Sequence, residues 1–167
     1  MKSDSPQFAD LTREEVLLNF NEINWDSYVH SGAFITAEEV EVLRNLQEDG
    51  IDNILPDKTL AAELVRVLMK VLRHITADSA PRQYALTRIE DILSGTTDLK
   101  SVKDSPDPES TGSSLAKSFD PSRHVPLFTT EDGLIDDQPF LRVLRDGDSY
   151  SQRTAGIVLA RLLIVNK

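Results

Sequence analysis

The most regular recurrence of apolar positions in the chain lies between Thr59 and Ile75. Leu60, Leu64, Val67, Leu68, Val71, Leu72 and Ile75 fall three or four residues apart, the spacing that lines up one face of an α-helix. Arg66, Lys70 and Arg73 keep the same spacing on another face. Thr76 and Asp78 break the pattern, and Pro81 stands where the first turn of a following helix tolerates proline. Tyr84, Leu86, Ile89, Ile92 and Leu93 make that second helix amphipathic, and Gly95 is placed to cap its C-terminus. So short a link between two amphipathic helices predicts an antiparallel helical hairpin.

Other helices announce themselves by their first turns. Thr12-Arg13-Glu14-Glu15 has the form of a capping box and predicts a helix running to about Phe20. Thr36-Ala37-Glu38-Glu39 repeats that form ahead of Val40, Leu43 and Leu46. Further on, Gln138 to Leu144 reads as a short helix. Tyr150 to Val165 reads as a longer one, with Ala155, Val158, Leu159, Leu162 and Leu163 on its apolar side. No run alternates with the period of a strand, so the expected fold class is all-α.

Thr96 to Pro121 is different in kind: rich in Ser, Asp, Pro, Gly and Thr, and poor in large apolar groups. Such a stretch cannot offset the ~1–2 kcal/mol per residue of backbone ordering entropy, and it reads as a disordered insertion. The expected organisation is then an acidic N-terminal arm and first helix (1–22), first helical repeats (23–95), a flexible Ser/Pro/Asp-rich insertion (96–121) and a further helical repeat (122–167). Helix pairs with two apolar sides are the units of solenoids, and HEAT and armadillo repeats have a period of ~40–47 residues. Periodicity alone leaves a simple helical bundle open. The apolar run Ile157 to Val165 meets no polar capping helix before Lys167, which reads as an array cut short.

Charge narrows the class of partner. The formal net charge is −10, a balance that repels phosphate backbones and argues against nucleic acid. The distribution is uneven: Asp4 to Asp57 is densely acidic, whereas Lys58, Arg66, Lys70 and Arg73 face only Glu63 in the following stretch. Blocks of opposite sign suit docking between segments or onto a charged partner. No run approaches the ~18 continuous apolar residues of a membrane span, and the N-terminus lacks the apolar stretch of a secretory signal. With no cysteine, disulfides, thiolate metal sites and a cysteine nucleophile are excluded, and a cytosolic location is expected.

The inventory for chemistry is thin. His30, His74 and His124 stand far apart and have no metal-ligand neighbour at helical spacing. The acidic turns Asp49-Gly50-Ile51-Asp52-Asn53, Glu131-Asp132-Gly133 and Asp146-Gly147-Asp148 do not complete a calcium-loop order and read as helix ends and turns. No catalytic residue, cofactor or metal is expected. The single tryptophan lies in Ile23-Asn24-Trp25-Asp26-Ser27-Tyr28-Val29, between two helical signals. It reads as an anchor for the N-terminal arm, with a partner contact as the other possibility.

That segment, Ile23-Asn24-Trp25-Asp26-Ser27-Tyr28 followed by Ile35-Thr36-Ala37-Glu38, resembles the N-terminal signature of the V-type ATPase H subunit family. Gln83 to Leu93 resembles the family's second long helix, and Pro139 to Leu144 with Thr154 to Leu163 resembles its next repeat. The stretch Thr96 to Pro121 is longer and more polar than the family's usual link. The resemblance implies a HEAT/armadillo-like superhelix in the cytosolic sector of a rotary proton pump on vacuolar or endosomal membranes. It implies a non-catalytic regulatory subunit that couples ATP hydrolysis to proton transport and binds the peripheral stalk subunits E and G. Membrane association would come only through that complex. A product ending at Lys167 would keep part of the family's stalk-binding domain and lose its inhibitory C-terminal domain. Trp25, Tyr28, Arg66, Lys70 and Arg73 are the candidate protein-binding residues. A helical-repeat adaptor with an unrelated partner is the alternative.

Overall fold

A computed structural model describes residues 11–32, 35–95 and 123–165; the insertion expected over 96–121 and the first residues of the N-terminal arm lie outside the described residues. Among those described, the chain runs through α1 (Arg13–Leu18), a 3-10 turn (Asn19–Glu22), α2 (Trp25–Gly32), α3 (Ala37–Asp49) and α4 (Ile51–Ile54). It continues through α5 (Lys58–His74), α6 (Ser79–Ser94), a second 3-10 turn (Val125–Phe128), α7 (Gln138–Asp146) and α8 (Ser149–Val165). The only sheet-type pairing among them is an isolated bridge between Thr129 and Ile135. The fold is all-α.

Both capping boxes form. The Thr12 and Thr36 hydroxyls each accept from the amide three residues on, while the Glu15 and Glu39 carboxylates accept from the Thr amides. α1 is shorter than its sequence signal suggests, because the backbone tightens into the 3-10 turn at Asn19. α2 starts at Trp25, inside a segment that carries no helical periodicity. Asn24 supplies the missing start signal: its Oδ1 accepts from the Ser27 amide at 3.2 Å.

α5 is opened by Asp57, whose Oδ1 accepts from the Thr59 and Leu60 amides at 2.9 and 3.1 Å. Its stripe Leu64, Val67, Leu68, Val71 and Leu72 is at most 1% exposed. Leu60 departs from the stripe, at 45% exposed. It lies in the first turn, where it edges a shallow depression with Val42 and Ile54 instead of entering the core. Burying each of the stripe's leucines and valines contributes roughly 1.5–3 kcal/mol relative to exposure.

α6 is the central helix, packed by α5, α8 and α1. Pro81 lies in its first turn, and Gly95 caps its end at φ 72°, a backbone angle that glycine adopts without strain. The residues from Gln83 to Ile89 are buried without a break, so α6 is not the half-exposed amphipathic helix its periodicity predicts. Its polar residues are therefore buried too, and they find partners. Asp91 receives two hydrogen bonds of 2.7 Å from Arg13 of α1. Arg88 donates to Gln47 of α3 at 3.0 Å, and Thr87 shares a 2.7 Å hydrogen bond with Tyr150 of α8.

α7 and α8 pack on each other through a tight corner. A Cβ on Gly147 would stand 2.5 Å from the Val143 carbonyl oxygen, which leaves room for glycine alone. Asp148 then accepts from the Ser151 amide at 3.0 Å, in the manner of an N-cap, and from Arg82 and Gln83 of α6 at 3.0 and 3.2 Å. Burial pushes the Asp148 carboxyl up, but the Ser151 hydroxyl, which donates to it at 2.7 Å, outweighs that together with these donors and holds it at about 2. Of the apolar side expected for α8, Ala155, Val158, Leu159 and Leu162 are buried, whereas Leu163 is exposed.

Candidate protein-binding surface

The three cations of α5 face the surface but are not idle there. Arg66 Nη1 donates to Glu39 Oε1 at 2.8 Å, and Lys70 Nζ donates to the two Glu39 oxygens at 3.0 and 2.9 Å. Glu39 also closes the Thr36 capping box, so one carboxylate begins α3 and fastens it to α5. The carboxyl is buried. Burial raises its pKa, and the hydrogen bonds from Lys70, the Thr36 amide and Arg66 more than reverse that, to about 2. Arg73 pairs with Asp136, in the turn before α7, and its carbonyl accepts from Arg142 Nη1 at 3.2 Å. The stripe thus links α5 to α3 at one end and to α7 at the other.

These pairs leave unequal amounts of each cation open to solvent. Arg66 and Arg73 keep 57% and 49% of their side-chain surface, and Lys70 keeps 28%. A partner approaching this face would therefore meet two arginines whose charge is partly offset by Glu39 and Asp136.

Trp25 is a core residue at 3% exposed. Its ring lies 5.5 Å from Phe20, 6.2 Å from Tyr84 of α6 and 6.2 Å from Tyr28, and the latter two meet it edge-on. Edge contacts of this kind favour the aromatic quadrupoles and fasten the N-terminal elements to α6. Among the described residues, no acceptor lies within hydrogen-bond reach of the buried Trp25 Nε1. Tyr28 is half-buried and donates its hydroxyl to Asp78 Oδ2 at 2.5 Å. Burial first, then that hydrogen bond and the Asp78 charge, push the phenol up to about 12. Trp25 and Tyr28 therefore sit together, and the three cations form a second group on α5.

Several polar residues that organise this region escape sequence reasoning. Arg88 and Asp91 are three apart on α6, a spacing that surface pairs share, so nothing local marks them as buried. Among the described residues, no group of three or more His, Cys, Asp or Glu side chains is placed to hold a metal ion. No described helix is long and apolar enough to cross a membrane.

A family model for the H subunit of the V-ATPase matches residues 9–121, which takes in α1 to α6. Neither the curated proteins nor the solved structures contain a match.

Proposed function

Since the chain belongs to the V-ATPase H subunit family, we propose that it serves the proton pump as a regulatory subunit with no active site of its own. In this reading it binds the peripheral stalk formed by subunits E and G and couples ATP hydrolysis to proton transport. It reaches the cytosolic face of vacuolar or endosomal membranes only through that complex. The family match over most of the described helices is the observation that carries the proposal.

The docking face within this reading is the α5 surface, with Arg66 and Arg73 as the outward cations and Lys70 turned toward Glu39. Trp25 and Tyr28, candidate contacts read from the sequence, lie apart from this face, where they hold α2 to α6 and to the link before it. Complementary charge on such a face raises the rate of encounter and makes it sensitive to salt. Reversing the cations to glutamate would set new carboxylates against Glu39 and Asp136, confusing docking with folding. Arg66→Gln combined with Arg73→Gln is the cleaner probe. Titration of the full chain against purified E–G heterodimer should show binding, with slower association and a flatter salt dependence in the double variant. A chain that does not bind the heterodimer at any ionic strength overturns the stalk assignment. A double variant with wild-type rates moves the docking face elsewhere.

A further inference from the structure

Between the start of α5 and the second 3-10 turn lies a slot of about 220 Å³, walled by Leu55, Ala61, Pro126 and Leu127. Its charged edge is made by Lys58 and Arg123, with His124 beside them, and no carboxylate lines it among the described residues. Lys58 is the first residue of α5, and the turn that follows Arg123 is pinned by the buried Val125 and Phe128.

The contrast with the other cations makes this slot unusual. Arg66 and Lys70 are taken by Glu39, Arg73 by Asp136, Arg82 by Asp148, and Arg161 by Glu90. Arg142 is held by a carbonyl, and Arg153 lies over the Tyr150 ring. Lys58 and Arg123 are exposed and have no ion-pair partner among the described residues, in a chain with 28 acidic residues against 18 basic ones. Asp57 is adjacent to Lys58, but its carboxylate is engaged by the Thr59 and Leu60 amides. An apolar slot edged by two cations that no described carboxylate pairs with therefore stands on a strongly acidic protein.

We propose that this slot docks a short segment of a protein partner in which carboxylates flank one apolar side chain. The apolar group enters between Leu55, Ala61 and Leu127, and the carboxylates pair with Lys58 and Arg123. A purely anionic ligand would make no use of the apolar walls, and a purely apolar one would leave the cations unanswered. A nucleic acid or an anionic membrane would be repelled by a chain whose net charge is −10. The inference goes beyond the stalk reading and does not rest on it.

Fluorescence anisotropy of the full chain with a labelled Gly-Asp-Glu-Phe-Glu-Asp-Gly peptide tests the proposal. The expected result is saturable binding that is lost when the phenylalanine is replaced by serine, or when the acids are replaced by lysine and arginine. Lys58→Glu with Arg123→Glu should weaken binding by roughly tenfold or more. Leu127→Gln should weaken it while leaving both cations in place. Because Lys58 and Arg123 are exposed, the double variant should keep wild-type circular dichroism. The proposal is overturned if the phenylalanine peptide fails to bind, if the serine peptide binds equally well, or if the double variant binds as wild type does. A dimer in sedimentation that the double variant abolishes would make a second copy the occupant, and would equally overturn it.

Discussion

Arg13 and Asp91 stand 78 residues apart in the chain, yet the Nε and Nη2 of Arg13 donate to the two Asp91 carboxylate oxygens at 2.7 Å each. Asp91 is fully buried, so this fork fastens α1 to the inside of α6. Removing one partner of a buried pair leaves the other poorly compensated, and Arg88, whose Nη1 lies 3.5 Å from Asp91 Oδ2, would have to carry more of the load. Arg13→Ala should destabilise the fold by about 3 kcal/mol in urea unfolding. Arg13→Lys should recover only part of that, because an ammonium cannot reproduce the fork. An unchanged midpoint for Arg13→Ala would mean that the Arg13 fork is dispensable for holding Asp91.

Acid should loosen the joint between α3 and α5. The Glu39 carboxyl is held at about 2 in the fold against an ordinary value of 4.5, so the unfolded chain takes up its proton first as pH falls. Its contribution is complete above about 4.5 and disappears as pH drops toward 2, and Asp148 acts with the same sign between 3.8 and about 2. For Glu39 the linked stability is on the order of 3 kcal/mol. Glu39→Gln should lower stability at neutral pH and flatten the acid limb of a stability–pH profile. A Gln variant with the wild-type acid slope would assign that limb to other carboxylates.

Trp25→Ala should cost roughly 3–5 kcal/mol, the range for emptying a buried aromatic site. Trp25→Phe should cost under about 2 kcal/mol, since it keeps much of the packing and removes an indole N–H that has no acceptor among the described residues. Thermal unfolding of the two variants separates the contributions. A Phe variant as unstable as the Ala variant would show that the indole's full width, and not its aromatic contacts, holds α2 in place.

Two glycines should respond differently to alanine. Gly147→Ala forces a Cβ to within 2.5 Å of a backbone carbonyl and should cost about 2 kcal/mol, by opening the α7–α8 corner. Gly133 has φ 75° but open space around it, so Gly133→Ala should cost about 1 kcal/mol of backbone strain alone. Chemical denaturation ranks them, and the reverse order would contradict the packing at the corner.

What is legible in the sequence is what local geometry decides. Thr12 and Thr36 start helices because their glutamates lie three residues on, and the apolar stripe of α5 from Leu64 to Leu72 follows from spacing alone. The remainder depends on distant neighbours. Whether Arg88 and Asp91 are buried turns on Arg13 and Gln47, which no window of local sequence contains. Leu60 satisfies the period of α5 but stays half open to solvent, because the first turn reaches past the packed length of the stripe. Trp25 begins a helix through an Asn24 cap that carries no periodic signal. The pairing of Arg66 and Lys70 with Glu39 is one of several arrangements the opposite charge blocks allow, and only the packing of α3 on α5 selects it.

The central position of α6 also bears on the order in which the molecule assembles. Its contact with α5 closes across the short link Ile75–Asp78, whereas its contact with α1 must draw together residues 78 positions apart. Loop-closure entropy grows with the logarithm of the separation, so the α5–α6 pair can nucleate before either flank arrives. α1 and α8 then condense onto a surface that already exists. In native-state hydrogen exchange the α6 amides should be the last to open, with protection falling away toward both flanks. Newly made chain would thus mature from its middle outward, and α1, although synthesised first among these helices, would be among the last to settle.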